Sequence, residues 1–141
     1  MKEDVIISYL QRHGLEAKTG DTILVERKTR NRKWYATLLG KNETEKIYLN
    51  FAEKEFVILP IEKDSMTPIE GDYAQVPLTE VKSIYFKRQT NFYNLLIQYN
   101  DATATDDRIK KYKVPKEVAD CPWHKENLEQ LIERFGFKES K

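Results

Sequence analysis

One cysteine in 141 residues, Cys121, means that no disulfide can form within the chain, and a reducing compartment is the natural setting. Histidine is nearly as scarce, with only His13 and His124, so a closed zinc site with four ligands has little to draw on. No stretch approaches the roughly 20 consecutive apolar residues needed to span a bilayer. A Gly-x-Ser-x-Gly elbow and a phosphate-cradling glycine loop are both missing, which removes the usual hydrolase and nucleotide-binding patterns. Charge of one sign is missing too. Lys and Arg total 24 against 23 Asp and Glu, a net charge of +1, whereas a protein that coats nucleic acid carries a large positive excess. The opening MKEDVIISYLQRHG puts acidic residues where a secretory leader carries basic ones, and Val5-Ile6-Ile7 is too short an apolar run for one. The expectation is a cytoplasmic protein.

What is present is enough for a packed core. Hydrophobic residues make up 40% and aromatics 11% of the chain, too many for a disordered segment, and the length suits a single domain over 1–141. Val5, Ile6, Tyr9, Leu10 and His13 recur at helical spacing before Gly14, predicting a short helix over 3–13. Strand patterns follow from residue 22 to residue 114. Thr22–Glu26 and Trp34–Leu39 are β-rich runs, and Arg27–Lys33 between them reads as a hairpin with Asn31 in its turn. Ile47, Leu49 and Phe51 alternate with Tyr48 and Asn50, the pattern of a half-buried strand. Phe56–Leu59 ends at Pro60. Residues 63–75 form the longest irregular stretch, a candidate functional loop or a plain connection. Glu80–Phe86, then Tyr93–Tyr99, then Arg108–Val114 complete seven strands. Leu128, Leu131, Ile132 and Phe135 form one apolar helical stripe, placing a last helix over 121–136 with Pro122 in its first turn.

A block of four strands, a block of three and a closing amphipathic helix predict a mainly β (α+β) domain. Its expected form is two roughly orthogonal antiparallel sheets, or a seven-stranded barrel, with the helical stripe capping the open corner. This order resembles the pleckstrin-homology-like superfold. The stretch Val76–Tyr85 is similar to the lead into the fifth strand of bacterial members. Tyr112, Val114 and Trp123 ahead of Leu128–Ile132 are similar to their last strand and capping helix. The likeness covers about residues 22–136, and the N-terminal helix is an addition to it.

The densest chemical feature is Arg27–Tyr35, with Arg27, Lys28, Arg30, Arg32 and Lys33 followed by Trp34. In lipid-binding members of the superfold the first hairpin grips phosphoinositide head groups. By that resemblance Lys28, Arg30 and Arg32 are the matching charges, with Lys33 and Trp34 beside them as anion-binding candidates for a phospholipid surface or nucleic acid. The same residues also read as solvated hairpin charges that keep an edge from aggregating. Cys121-Pro122-Trp123-His124 looks like half of a thioredoxin-type motif. With no second cysteine it reads better as packing under the helix than as a metal or redox site. The adjacent Asp106-Asp107 lie on a polar turn, where neighbours seldom share a buried site. Phe92 and Leu96 share a strand face that suits an interaction surface. The sequence therefore points to a non-catalytic module, with no cofactor and no metal, that binds another protein or itself. Anion binding through the first hairpin is the alternative, and carboxylate enzyme chemistry in loop 63–75 a distant third.

Overall fold

Period-two alternation and one amphipathic stripe fix most of the architecture. The structure, a computed structural model, describes residues 1–28, 44–100 and 109–138. Helix α1 (Glu3–Arg12) precedes β1 (Thr22–Lys28), β2 (Thr44–Phe51), β3 (Glu55–Pro60), β4 (Ala74–Pro77), β5 (Val81–Arg88), β6 (Phe92–Tyr99), β7 (Ile109–Pro115) and helix α2 (His124–Phe135). The seven strands described form one antiparallel sheet in the order β4-β3-β2-β1-β7-β6-β5, rather than two separate sheets. The blocks β1–β4 and β5–β7 join where β1 meets β7, through the single residue pair Glu26 and Lys113.

Several boundaries differ from expectation. The run Trp34–Leu39 and the hairpin turn before it lie outside the described residues. The ladder partner of β1 is β2, from Thr22 opposite Asn50 to Lys28 opposite Thr44. A strand, β4, begins inside the stretch expected to be irregular. Ala74-Gln75-Val76-Pro77 has one β-branched residue and weak strand propensity of its own, and it is held by the ladder to β3. Pro77 is tolerated there because β4 is an end strand. Helix α2 starts at His124, two residues beyond Pro122.

The alternating side chains feed two cores. Ile23, Val25, Ile47, Leu49, Phe51, Phe56, Phe86, Leu95, Ile97, Tyr112 and Val114 point to one side of the sheet. Leu128 and Leu131 of α2 are buried with them, and Ile132 and Phe135 pack against the cluster, so the stripe read from the sequence does fill this side. The opposite side of β1–β3 carries Leu24, Tyr48, Val57 and Leu59. These form a second buried cluster with Ile6, Tyr9 and Leu10 of α1 and with Leu15 and Cys121. Tyr48 and Asn50 are therefore fully buried, and β2 is covered on both faces rather than half-buried.

Two local devices complete the fold. Near its start β1 has no strand on the β7 side among the described residues, and the first turn of α2 takes that place. His124 Nδ1 accepts a hydrogen bond from the Leu24 N–H at 3.0 Å, and Nε2 donates to the Pro115 carbonyl at 2.7 Å. Asn127 Nδ2 donates to the Thr22 carbonyl and to Glu3 Oε2, which also accepts from the Gly20 N–H. At the far end of the sheet, Gly136 at φ 81° stops α2 and turns the chain along β5. There the Phe86 N–H donates to the Gly136 carbonyl and the Lys138 N–H to the Phe86 carbonyl, covering part of an end strand.

Candidate functional site

Of the five anion-binding candidates, Lys28 lies at the exposed end of β1, while Arg30, Arg32, Lys33 and Trp34 lie outside the described residues. Lys28 opens onto a groove of about 1000 Å³ beside the β1–β7 junction. Arg27, Lys110, Lys111 and Lys113 line the same groove, against Glu26 and Glu45 as its acids. Arg27 is paired with Glu45 across the β1–β2 ladder, which removes one cation from service. Tyr99 and Tyr112 also line it. Burial pushes the Tyr99 phenol up to about 12 and raises Tyr112 despite Arg27, so both are neutral at physiological pH.

The groove runs onto a larger surface. On β5–β7 the side chains that point away from the main core are Ser83, Tyr85, Lys87, Phe92, Asn94, Leu96, Gln98, Ile109, Lys111 and Lys113. Cross-strand register sets them in rows: Ser83–Gln98–Ile109, Tyr85–Leu96–Lys111, and Lys87–Asn94–Lys113. None is buried, and Ile109 is 46% exposed, one of two large apolar side chains so exposed among the described residues. The pairing of Phe92 with Leu96 on one open face, read from the sequence, is present. The charge of these strands is one-sided. β5 and β7 supply Lys82, Lys87, Arg88, Lys110, Lys111 and Lys113, and β5, β6 and β7 contain no Asp or Glu. Among the described residues no carboxylate pairs with Lys87, Lys111 or Lys113. The Lys113 ammonium instead stands 4.7 Å from the Phe92 ring centre, and Lys138 stands 5.1 Å from that of Tyr85. The strand patterns expose this asymmetry directly, but a count over the whole chain hides it.

Elsewhere the candidates turn inward. Cys121 is 1% exposed and burial pushes its thiol up, the opposite of a helix N-terminus that activates a thiolate. His124 is wholly buried with both ring nitrogens engaged, so neither is available to a metal. Its partners, an N–H and a carbonyl, require the neutral ring protonated at Nε2. Among the described residues no group of three or more His, Cys, Asp or Glu is placed to hold a metal ion, and no helix is long and apolar enough to cross a membrane. The segment 63–75 is strapped to the second core. Tyr48 Oη donates to the Met66 carbonyl at 2.7 Å and Tyr9 Oη to the Ile69 carbonyl at 3.1 Å, while Ile61 bridges Pro68. Its Glu70 pairs with His13 and Arg12 of the α1 end, so this acid serves as a tether. Asp106 and Asp107 lie outside the described residues. No protein-family model matches the chain, and a search of curated proteins finds no match.

Proposed function

We propose that the chain is a non-catalytic binding module of pleckstrin-homology-like architecture, whose partner is an acidic protein that docks on the open face of β5–β7. The architectural part is supported by the antiparallel order β4-β3-β2-β1-β7-β6-β5 and by α2 filling the main-core side. The binding part is carried by one observation: three adjacent strands contain no Asp or Glu, and three of their cations, Lys87, Lys111 and Lys113, share a face that no helix covers among the described residues. A chain of net charge +1 gains little by concentrating cations this way unless something acidic meets them. The same face weighs against symmetric self-association, because two copies face to face would set Lys87, Lys111 and Lys113 against each other. A nucleic acid finds no net positive field on the rest of the molecule to add to this patch.

The direct test is titration of the labelled protein with poly-L-glutamate, followed by amide chemical shifts. The expected result is perturbation of β5–β7, lost in a Lys111→Glu/Lys113→Glu variant. A second reading, anion binding through the first hairpin, is favoured by Lys28 sharing its groove with Lys111 and Lys113. Changing Arg30, Arg32 and Lys33 to Ala separates the two. If that variant loses binding to anionic vesicles or RNA while the β7 variant retains it, the hairpin reading replaces the sheet-face one.

A further inference from the structure

The two faces that point away from the main core have different fates. On β1–β3 that face is covered by α1, whose Ile6, Tyr9 and Leu10 are buried with Leu24, Tyr48, Val57 and Leu59. On β5–β7 no helix among the described residues covers the corresponding face, and none of its side chains is buried. We propose that its occupant is an amphipathic helix of the partner, acidic along its flanks and apolar along its centre, lying on β5–β7 much as α1 lies on β1–β3. This rests on the preceding proposal that the face is a docking surface.

Dimensions and chemistry both favour a helix. Neighbouring strands stand about 4.8 Å apart, so the span from β5 to β7 is about 10 Å, close to the roughly 10 Å diameter of a helix with its side chains. An eight-residue strand such as β6 is about 26 Å long, the length of about 18 helical residues. The apolar side chains Tyr85, Leu96 and Ile109 occupy neighbouring rows across all three strands, giving a seat for an apolar stripe. Lys87 on β5 and Lys111 and Lys113 on β7 stand at the two sides, where carboxylates flanking that stripe would meet them. An extended acidic strand added to the sheet would use an edge rather than this face, and would not meet both lateral strands at once.

The experiment uses the full chain, isotopically labelled, and three probes. The first is a peptide of about 18 residues with Leu at i, i+3, i+4, i+7 spacing and Glu elsewhere. The second has the same composition with Leu and Glu alternating, which disfavours an amphipathic helix. The third is an oligo-dT. The helical probe is expected to shift outward-facing β5–β7 residues and to bind at least about tenfold more tightly than the alternating one. Lys87→Glu/Lys111→Glu/Lys113→Glu should weaken it about tenfold or more and favour a Lys-for-Glu version of the same peptide. The single Lys111→Glu variant, expected to weaken binding in the same direction, serves if the triple variant unfolds. Equal or tighter binding of the alternating peptide or the oligo-dT to this face would overturn the helix while leaving a docking surface. Perturbations absent from β5–β7 with every probe would remove the docking surface as well.

Discussion

The halves of the sheet solve the same problem differently. β1–β3 are buried on both faces, between α2 with the main core and α1 with the second cluster. β5–β7 are buried on one face only. Their sequences differ accordingly. Thr22–Val25 and Ile47–Phe51 are buried at every position, whereas β7 alternates buried Tyr112 and Val114 with exposed Lys111 and Lys113. A continuous apolar run marks a strand covered twice, and alternation marks one with a wet face. Charge follows the same division. β1–β4 carry Glu26, Glu45 and Glu55 against Arg27, Lys28 and Lys46, a balance, while β5–β7 are cationic without exception. The covered half is packed on both sides, and the other half keeps a cationic face in contact with solvent.

The largest expected effect lies at the seam. His124→Ala leaves the Leu24 N–H and the Pro115 carbonyl without their partner in a buried site and opens a cavity, which together cost about 4 kcal/mol. Urea unfolding measures it, and a loss below about 1 kcal/mol would mean that water or a strand closes the gap unaided. Next comes a matched pair of leucines on corresponding faces. Leu24→Ala, beneath the second cluster, is expected to cost about 3 kcal/mol. Leu96→Ala, on the open face, is expected to cost about 1 kcal/mol or less. Equal losses would show that something covers both faces and would end the contrast.

How much of this the sequence discloses follows the same seam. The stripe Leu128, Leu131, Ile132 and Phe135, the alternation in β6 and β7, and the openness of Phe92 and Leu96 are periodic, and periodicity survives without tertiary knowledge. The strand Ala74–Pro77 is not legible, because pairing with β3 overrides its weak propensity. Tyr48 and Asn50 look like wet-face residues by alternation, yet both are buried: Tyr48 lies in the second cluster with α1 and Cys121 and beside Trp123, and Asn50 bonds to Thr22. His124 invites thoughts of metal because its chemistry is local in sequence, while its two partners are 100 and 9 residues away. The basic first hairpin stands out as a run of letters. The cationic face does not, because its lysines come from β5 and β7 and meet only when β6 lies between them.

Acid provides a smaller effect with a definite sign. Burial lowers the His124 pKa below its ordinary value of 6.5, although the bond to Pro115 opposes the shift. Between the folded value and 6.5 the unfolded chain binds a proton at His124 that the folded chain refuses. Stability from this group is thus complete above pH 6.5 and declines as pH falls toward the folded value. Wild type should lose unfolding free energy on acidification through this window, and the gap between wild type and His124→Ala should narrow. A constant gap would mean that the folded chain takes up this proton as readily as the unfolded one, so that burial does not lower the pKa of the ring.

The smallest expected effect is the most diagnostic of what the open half is for. Lys111 and Lys113 are exposed and, among the described residues, make no ion pair that folding depends on. Their replacement by Gln should therefore change stability by less than about 0.5 kcal/mol. Relief of repulsion among the cations of β5 and β7 pushes the change toward stabilisation rather than loss. The same substitutions should weaken poly-L-glutamate binding and flatten its dependence on salt, because fewer cations meet the acidic chain. The two measurements belong together. A Lys111→Gln/Lys113→Gln protein that unfolds at an unchanged urea midpoint yet loses its ligand separates binding from folding on this face. One that loses stability instead would show these lysines to be part of the scaffold, and the two halves of the sheet would then differ in geometry but not in purpose.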